Sequence, residues 1–245
     1  MAVPAPFREQ NGQFTIELPG ARAAFTTRRG GVSEGPYGSL NLGFATADEP
    51  DRQDANRARL AELVGTPPVA WMYQVHGEQV AVLEDPAELY ERPEIDGRAT
   101  RLQGVALGAL GADCLTVAVA GGGALAIAHA GWRGLAAGVL GRAVDRVVGL
   151  AEDSELELHA AIGPGAGPCC YEVGPEVHAS FSDRPQARHG DNLDLTSIAA
   201  AQLSEAGVDA VYALGLCTIC HPELFFSHRR DRGVTGRQAG IAWLT

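Results

Sequence analysis

The sequence predicts a single-domain α+β sandwich, and three observations carry that expectation. Apolar segments short enough to be strands come in runs, with only a few helical stretches interspersed, which suits packed sheets better than a regular strand–helix alternation. No internal repeat and no long polar break divides the 245 residues, so one domain is expected over 1–245. Hydrophobic residues make up 46% of the chain but aromatics only 6%, so the core must rest on Ala, Val, Leu and Ile.

The elements follow in order. "QFTIEL" and "RAAFTTR" read as early strands. "RGGVSEGPYGSLNLG" is a Gly- and Ser-rich loop longer than ordinary turns, and such loops tend to be functional. Charge and Ala content predict a helix from Asp48 to Val64, stopped by Gly65 and two prolines. "VAWMYQV" and "QVAVLE" flank "HGE" like two strands around a tight turn. "GVALGALG", "CLTVAVA" and "ALAIAHA" are core strands, and Leu135, Val139, Ala143 and Val147 then step by four along a helix over 132–148. "LELHAAIG" is a further strand, Leu195 to Ala206 a helix, and "AVYALGL", "LFFSH" and "AGIAWL" the closing strands.

Composition removes several function classes. A formal net charge of −11 argues against nucleic acid or an anionic membrane as the main partner. The apolar region 104–130 carries Asp113 at its centre and a "GGG" turn, so it reads as strands and not as a membrane span. "MAVPAPFREQNGQF" lacks the basic and apolar regions of a secretory signal, which points to a cytoplasmic, reduced chain. In such a chain clustered cysteines mean metal or catalysis more often than disulfides.

Three polar seams interrupt the apolar strands: "YQVHGE", "GADCLTV" and "AIAHAGWRG". Each places one metal-competent group, His76, Cys114 or His129, at a strand edge, and Asp113 precedes the thiol. Two imidazoles and one thiolate leave a fourth tetrahedral position open, as a catalytic zinc requires. A lone buried Cys or His is ordinarily a core residue; it is the set of three that points to a site. "HGE" lacks the downstream P-C-x-x-C of zinc deaminases, and "CTICH" has the c-type haem spacing without an export signal; both are set aside as chance. Arginines cluster in "SHRRDRGVTGRQAG" as Arg229, Arg230 and Arg237, with Arg28, Arg29 and Arg133 elsewhere. In an acidic protein such grouping fits a pocket for phosphate or carboxylate oxygens. At the "AHAGWRG" seam His129 would face the metal, and Arg133, with the first N–H groups of its helix, an anion.

Together "QVHG", "GADCLTV", "AIAHAGWRG", "IGPGAGPCCYEVG" and "LFFSHRRDRGVTGRQAGI" resemble the YfiH-like laccase-domain family, first described as polyphenol oxidases and now known largely as purine nucleoside phosphorylases. The resemblance runs from "FTTRRGGVSEGPYGSLNLG" to the last strand. It implies an α/β/β/α sandwich with mixed sheets and a zinc held by His76, Cys114 and His129. It also implies phosphorolysis of adenosine, inosine, guanosine and 5′-methylthioadenosine, adenosine deamination by water activated at the metal, and a monomer or weak homodimer. In phosphorolysis Arg28, Arg133, Arg229, Arg230 and Arg237 are the candidates to hold phosphate, and Asp113 is a partner of the metal ligands or a proton carrier. Cys220 completes a C-x-x-C outside the family pattern, and the roles of Cys169, Cys170, Cys217 and Cys220 stay open.

Three alternatives stand beside this reading. A copper oxidase could use the same His₂Cys set with Met72 as axial ligand, although the seven histidines include no H-x-H pair. A zinc hydrolase, or a cysteine hydrolase with Cys114 as nucleophile and His129 as base, would act on another amide or nucleoside-like substrate. A binding module would use zinc for stability alone.

Overall fold

The computed structural model describes residues 3–152 and 156–245. In chain order the elements are β1 (Arg8–Gln10), β2 (Gln13–Leu18), β3 (Ala21–Phe25), α1 (Pro50–Ala58), α2 (Leu60–Val64), β4 (Val69–Ala70) and β5 (Val80–Leu83). Next come β6 (Gly97–Thr100), β7 (Ala106–Gly111), β8 (Leu115–Gly121), β9 (Ala124–Ala130), α3 (Trp132–Ala137), α4 (Val139–Leu150) and β10 (His159–Ile162). The remainder are α5 (Pro175–Ala179), β11 (Arg188–His189), β12 (Asn192–Leu193), α6 (Leu195–Glu205), β13 (Ala210–Ala213) and β14 (Gln238–Leu244). Two six-stranded sheets result, ordered β1-β2-β3-β14-β7-β4 and β13-β10-β8-β9-β6-β5. Both are mixed: β4–β7, β5–β6 and β10–β13 pair parallel, and the other pairs run antiparallel.

Residue parity along the strands sets the layers, because alternate side chains point to opposite faces. On β9, Ala124, Ala126, Ala128 and Ala130 pack under α3 and α4, while Leu125 and Ile127 face the other sheet. On β14, Ala242 and Leu244 face inward between the sheets, while Ala239, Ile241 and Trp243 pack towards Leu60 and Val64 of α2. The order is therefore helix, sheet, sheet, helix, as expected. Small residues do much of this work, since a row of alanines lets α4 lie close on its sheet.

Several expected elements differ. "VAWMYQV" and "QVAVLE" do not form a hairpin: β4 pairs with β7 in the first sheet and β5 with β6 in the second. The segment between them crosses from one sheet to the other, with His76 on the crossing. The helix over 132–148 is broken at Gly138, whose φ of 94° caps α3 in the left-handed conformation before α4 starts. The Asp48–Val64 helix is likewise divided at Arg59. "LFFSH" is buried from Leu224 to Ser227 but is not a strand: Gln238 substitutes for a strand partner, accepting from Phe226 N at 2.8 Å and donating to Phe226 O at 3.1 Å. The "GGG" turn does close the β8–β9 hairpin, with Gly122 and Gly123 both at positive φ.

Candidate active site

Two of the three predicted ligands lie where the chain changes sheets. The β7–β8 connection is only three residues, Ala112 to Cys114, and it carries the chain from the first sheet to the second. His76 lies on the β4–β5 crossing. His129 follows Leu125 and Ile127 on the inward face of β9 and so projects at the end of the gap between the sheets. The ligand atoms of His76, Cys114 and His129 all fall within 4.8 Å of one another. The two imidazoles meet edge to face with centroids 4.9 Å apart. Gly131 is required beside them, because a Cβ there would stand 2.8 Å from Cys114 Sγ.

The residue that organises the trio is Asp96, which the sequence reading did not identify. Its fully buried carboxylate accepts from Val75 N at 3.2 Å, His76 N at 2.9 Å and Gly77 N at 2.6 Å. It also meets His129 Nδ1 at 2.9 Å. Three successive amides thus hold the loop that presents His76, whose φ of 60° is rarely adopted by a side chain other than glycine. The same carboxylate fixes the His129 ring by Nδ1 and turns its other nitrogen towards Cys114, the arrangement expected around a ligating histidine. Burial pulls the Asp96 carboxyl up, but the bonds from His129, Gly77 and His76 outweigh it and hold it below the ordinary range.

Cys114 and His129 favour each other's charged forms. Burial raises the Cys114 thiol, yet the neighbouring His129 charge and hydrogen bonds from both imidazoles bring it down to about 6. Burial lowers His129, but the Cys114 thiolate and Asp96 lift it to about 9. A thiolate between two imidazoles is a donor set that suits zinc, and three protein ligands leave a coordination position for substrate or water.

The trio opens into a cavity of about 490 Å³, within the range of small-molecule sites. Phe44, Tyr73, Trp132 and Tyr171 give it aromatic walls, and Arg92, Arg133, Arg229 and Arg237 give it charge. Arg133 is exposed, with its guanidinium 4.4 Å over the Trp132 ring, so only His129 bears a burial penalty at that seam. Its helix α3 spans six residues, too short for its N-terminus to make an anion site of its own. Arg229 lies over Tyr171 and donates to Glu172 O at 2.6 Å. Arg237 is anchored by one nitrogen to the carbonyls of Thr235 and Gly236.

Two predicted arginines point elsewhere. Arg28 donates to Gly38 O and Pro222 O and stacks 4.7 Å from the Phe226 ring. Arg230 is paired with Asp231 and donates to Thr218 O and Phe225 O. Both tie the C-terminal loop together, and neither lines the cavity. Asp113 does line it, but both its oxygens are engaged: Oδ1 accepts from Thr218 at 2.6 Å and Oδ2 from Arg229 N at 2.7 Å. With a φ of 91°, Asp113 is a strut that sets the Cys114 turn against the C-terminal loop. Arg92 and Phe44, which the sequence reading missed, carry no local motif.

A family model described as multi-copper polyphenol oxidoreductase laccase matches residues 22–245. A purine nucleoside phosphorylase of Xylella fastidiosa (strain 9a5c) is 42% identical, covering 92% of this chain and 93% of that one. The purine nucleoside phosphorylase YfiH of Escherichia coli (strain K12) is 38% identical, covering 92% and 94%. The crystal structure of the Bacillus licheniformis hypothetical protein YfiH matches with a TM-score of 0.89 at 30% identity, over 99% of this chain and 100% of that one.

Proposed function

Because the chain belongs to the multi-copper polyphenol oxidoreductase laccase family, and similar full-length members are purine nucleoside phosphorylases, we propose that it cleaves purine nucleosides with inorganic phosphate. One observation supports this above the others: the His76–Cys114–His129 trio and the guanidinium groups of Arg133, Arg229 and Arg237 share one cavity. A reaction between a nucleoside and a phosphate needs an apolar slot and a cationic wall side by side.

In this reading the aromatic walls hold the purine. Tyr171 stays protonated, since burial and the nearby Cys114 thiolate push its phenol up to about 12, and it serves as a neutral hydrogen-bond donor. Arg133, Arg229 and Arg237 hold phosphate against C1′, where the new C–O bond forms as the bond to the purine nitrogen breaks. Positive charge builds on the ribose during that step, and the bound dianion stabilises it. A zinc ion held by His76, Cys114 and His129 would supply Lewis acidity next to the base or its exocyclic group. Deamination of adenosine is assigned to the same cavity as a second part of this proposal.

The test is a panel of adenosine, inosine, guanosine and 5′-methylthioadenosine, each with and without phosphate, alongside elemental analysis. Phosphate-dependent base release giving ribose 1-phosphates, with zinc in the trio, is expected. A second reading draws on the Cys114–His129–Asp96 chain, which has the nucleophile, base and orienting carboxylate of a cysteine hydrolase. It requires a substrate adduct on Cys114, visible by intact mass, and a Cys114→Ala protein that is inactive yet keeps its metal.

A further inference from the structure

Cys169, Cys170, Cys217 and Cys220 come from two turns about fifty residues apart, and their four Sγ atoms all lie within 4.8 Å of one another. Cys170 and Cys220 are 3.1 Å apart at sulfur, Cys169 and Cys220 3.4 Å. The two turns are brought together by backbone: Gly165 and Cys217 form a parallel bridge, and Thr218 N donates to Gly165 O at 2.9 Å. Gly167 N further donates to Cys217 Sγ at 3.3 Å.

We propose that these four cysteines bind a second zinc ion, as a closed tetrathiolate site distinct from the active-site trio. Four sulfurs at the usual Zn–S distance of about 2.3 Å form a tetrahedron with edges of about 3.8 Å, which the observed spread brackets. An iron–sulfur cluster distributes its thiolates over several irons and needs them farther apart. Cys217–Cys220 has the C-x₂-C spacing of structural zinc sites, with Cys169–Cys170 as the second half. All four positions are filled by protein, so this ion does no chemistry on substrate.

Its place in the fold gives it a task. Tyr171 follows Cys170 directly and lines the cavity, while Thr218 follows Cys217 and donates to Asp113. The ion would fasten the turn that carries Tyr171 to the turn that holds the Asp113 strut and, through it, Arg229.

The experiment is zinc content with X-ray absorption at the zinc edge on the purified full-length protein. Two zinc ions per chain are expected, averaging between two and three sulfurs each, because one site supplies four and the other one. Cys114→Ala should keep a single zinc with four sulfurs. Cys169→Ser combined with Cys220→Ser, which changes two exposed positions, should keep a single zinc with mixed nitrogen and sulfur ligands and should melt at a lower temperature. A wild type with one zinc bearing one sulfur would overturn the proposal, and so would a Cys170–Cys220 disulfide in non-reducing peptide maps. One zinc bearing four sulfurs would uphold it and remove instead the metal from the active-site reading.

Discussion

Asp96 is where a single substitution has the clearest consequence. Its carboxylate gathers four donors in a fully buried place, so Asp96→Asn replaces an acceptor by a group that must present N–H to N–H. Second-sphere changes of this kind weaken metal binding by roughly 10–100-fold, and loss of charged hydrogen bonds should lower stability by about 2–3 kcal/mol. Chelator competition and denaturant unfolding measure the two. The sign of the pH effect follows from the depressed carboxyl: its contribution is present above the unfolded value of about 4 and is lost as pH falls through the folded one. The wild type should therefore lose stability faster than Asp96→Asn on acidification below about pH 4. In metal-stripped protein, Cys114 should alkylate as a thiolate with a midpoint near 6, and zinc should protect it; a midpoint at the ordinary thiol value would contradict its pairing with His129. The candidate ligands were legible in the sequence because His76, Cys114 and His129 each stand at the margin of an apolar run. Asp96 was not: "PEIDGR" reads as an ordinary turn, and nothing local says that its carboxylate reaches back to residue 76 and forward to residue 129. Arg28 and Arg230 misled for the converse reason, since an arginine's position in sequence does not show which carbonyls take its guanidinium.

Among the elements, strands with strong alternation or continuous apolar runs were legible, and the connections between them were not. β7, β8 and β9 match the runs read from sequence, yet the passage of the chain between sheets at 71–79 and 112–114 leaves no periodic signal. Those crossings carry His76 and Cys114, so the site is built from the segments that pattern analysis reads least well. The helix break at Gly138 shows the same limit: the apolar step of four continues through it, because both α3 and α4 pack on the same sheet. Its φ of 94° makes a definite expectation. Gly138→Ala meets no neighbour within 4 Å, so its penalty is conformational only, about 1–2 kcal/mol. Thermal unfolding should record that loss while nucleoside turnover stays within about twofold, since no ligand or cavity residue lies on the turn. A larger activity loss would mean that the α3–α4 angle positions Arg133.

At the scale of the molecule, a chain of net charge −11 builds one cationic cavity wall from residues far apart in sequence. Arg133 follows β9, Arg229 and Arg237 belong to the loop before β14, and the loop is held by Asp113 from the β7–β8 crossing. Among the described residues Arg133 has no carboxylate partner, which leaves its guanidinium to pair with a bound anion. If that anion is the phosphate nucleophile, Arg133→Ala should impair phosphorolysis much more than deamination, which uses water. An interaction that strengthens on a dianion in the transition state is worth roughly 3–4 kcal/mol, about two to three decades in rate. Inosine cleavage measured against phosphate concentration, beside inosine formation from adenosine, separates the two effects in one preparation. Removing the metal should abolish deamination whatever it does to phosphorolysis. Free ribose released equally fast without phosphate would turn the protein into a nucleoside hydrolase and leave the arginine wall without its proposed ligand. No turnover of any nucleoside by zinc-loaded protein would detach this cavity from the activity named for its relatives.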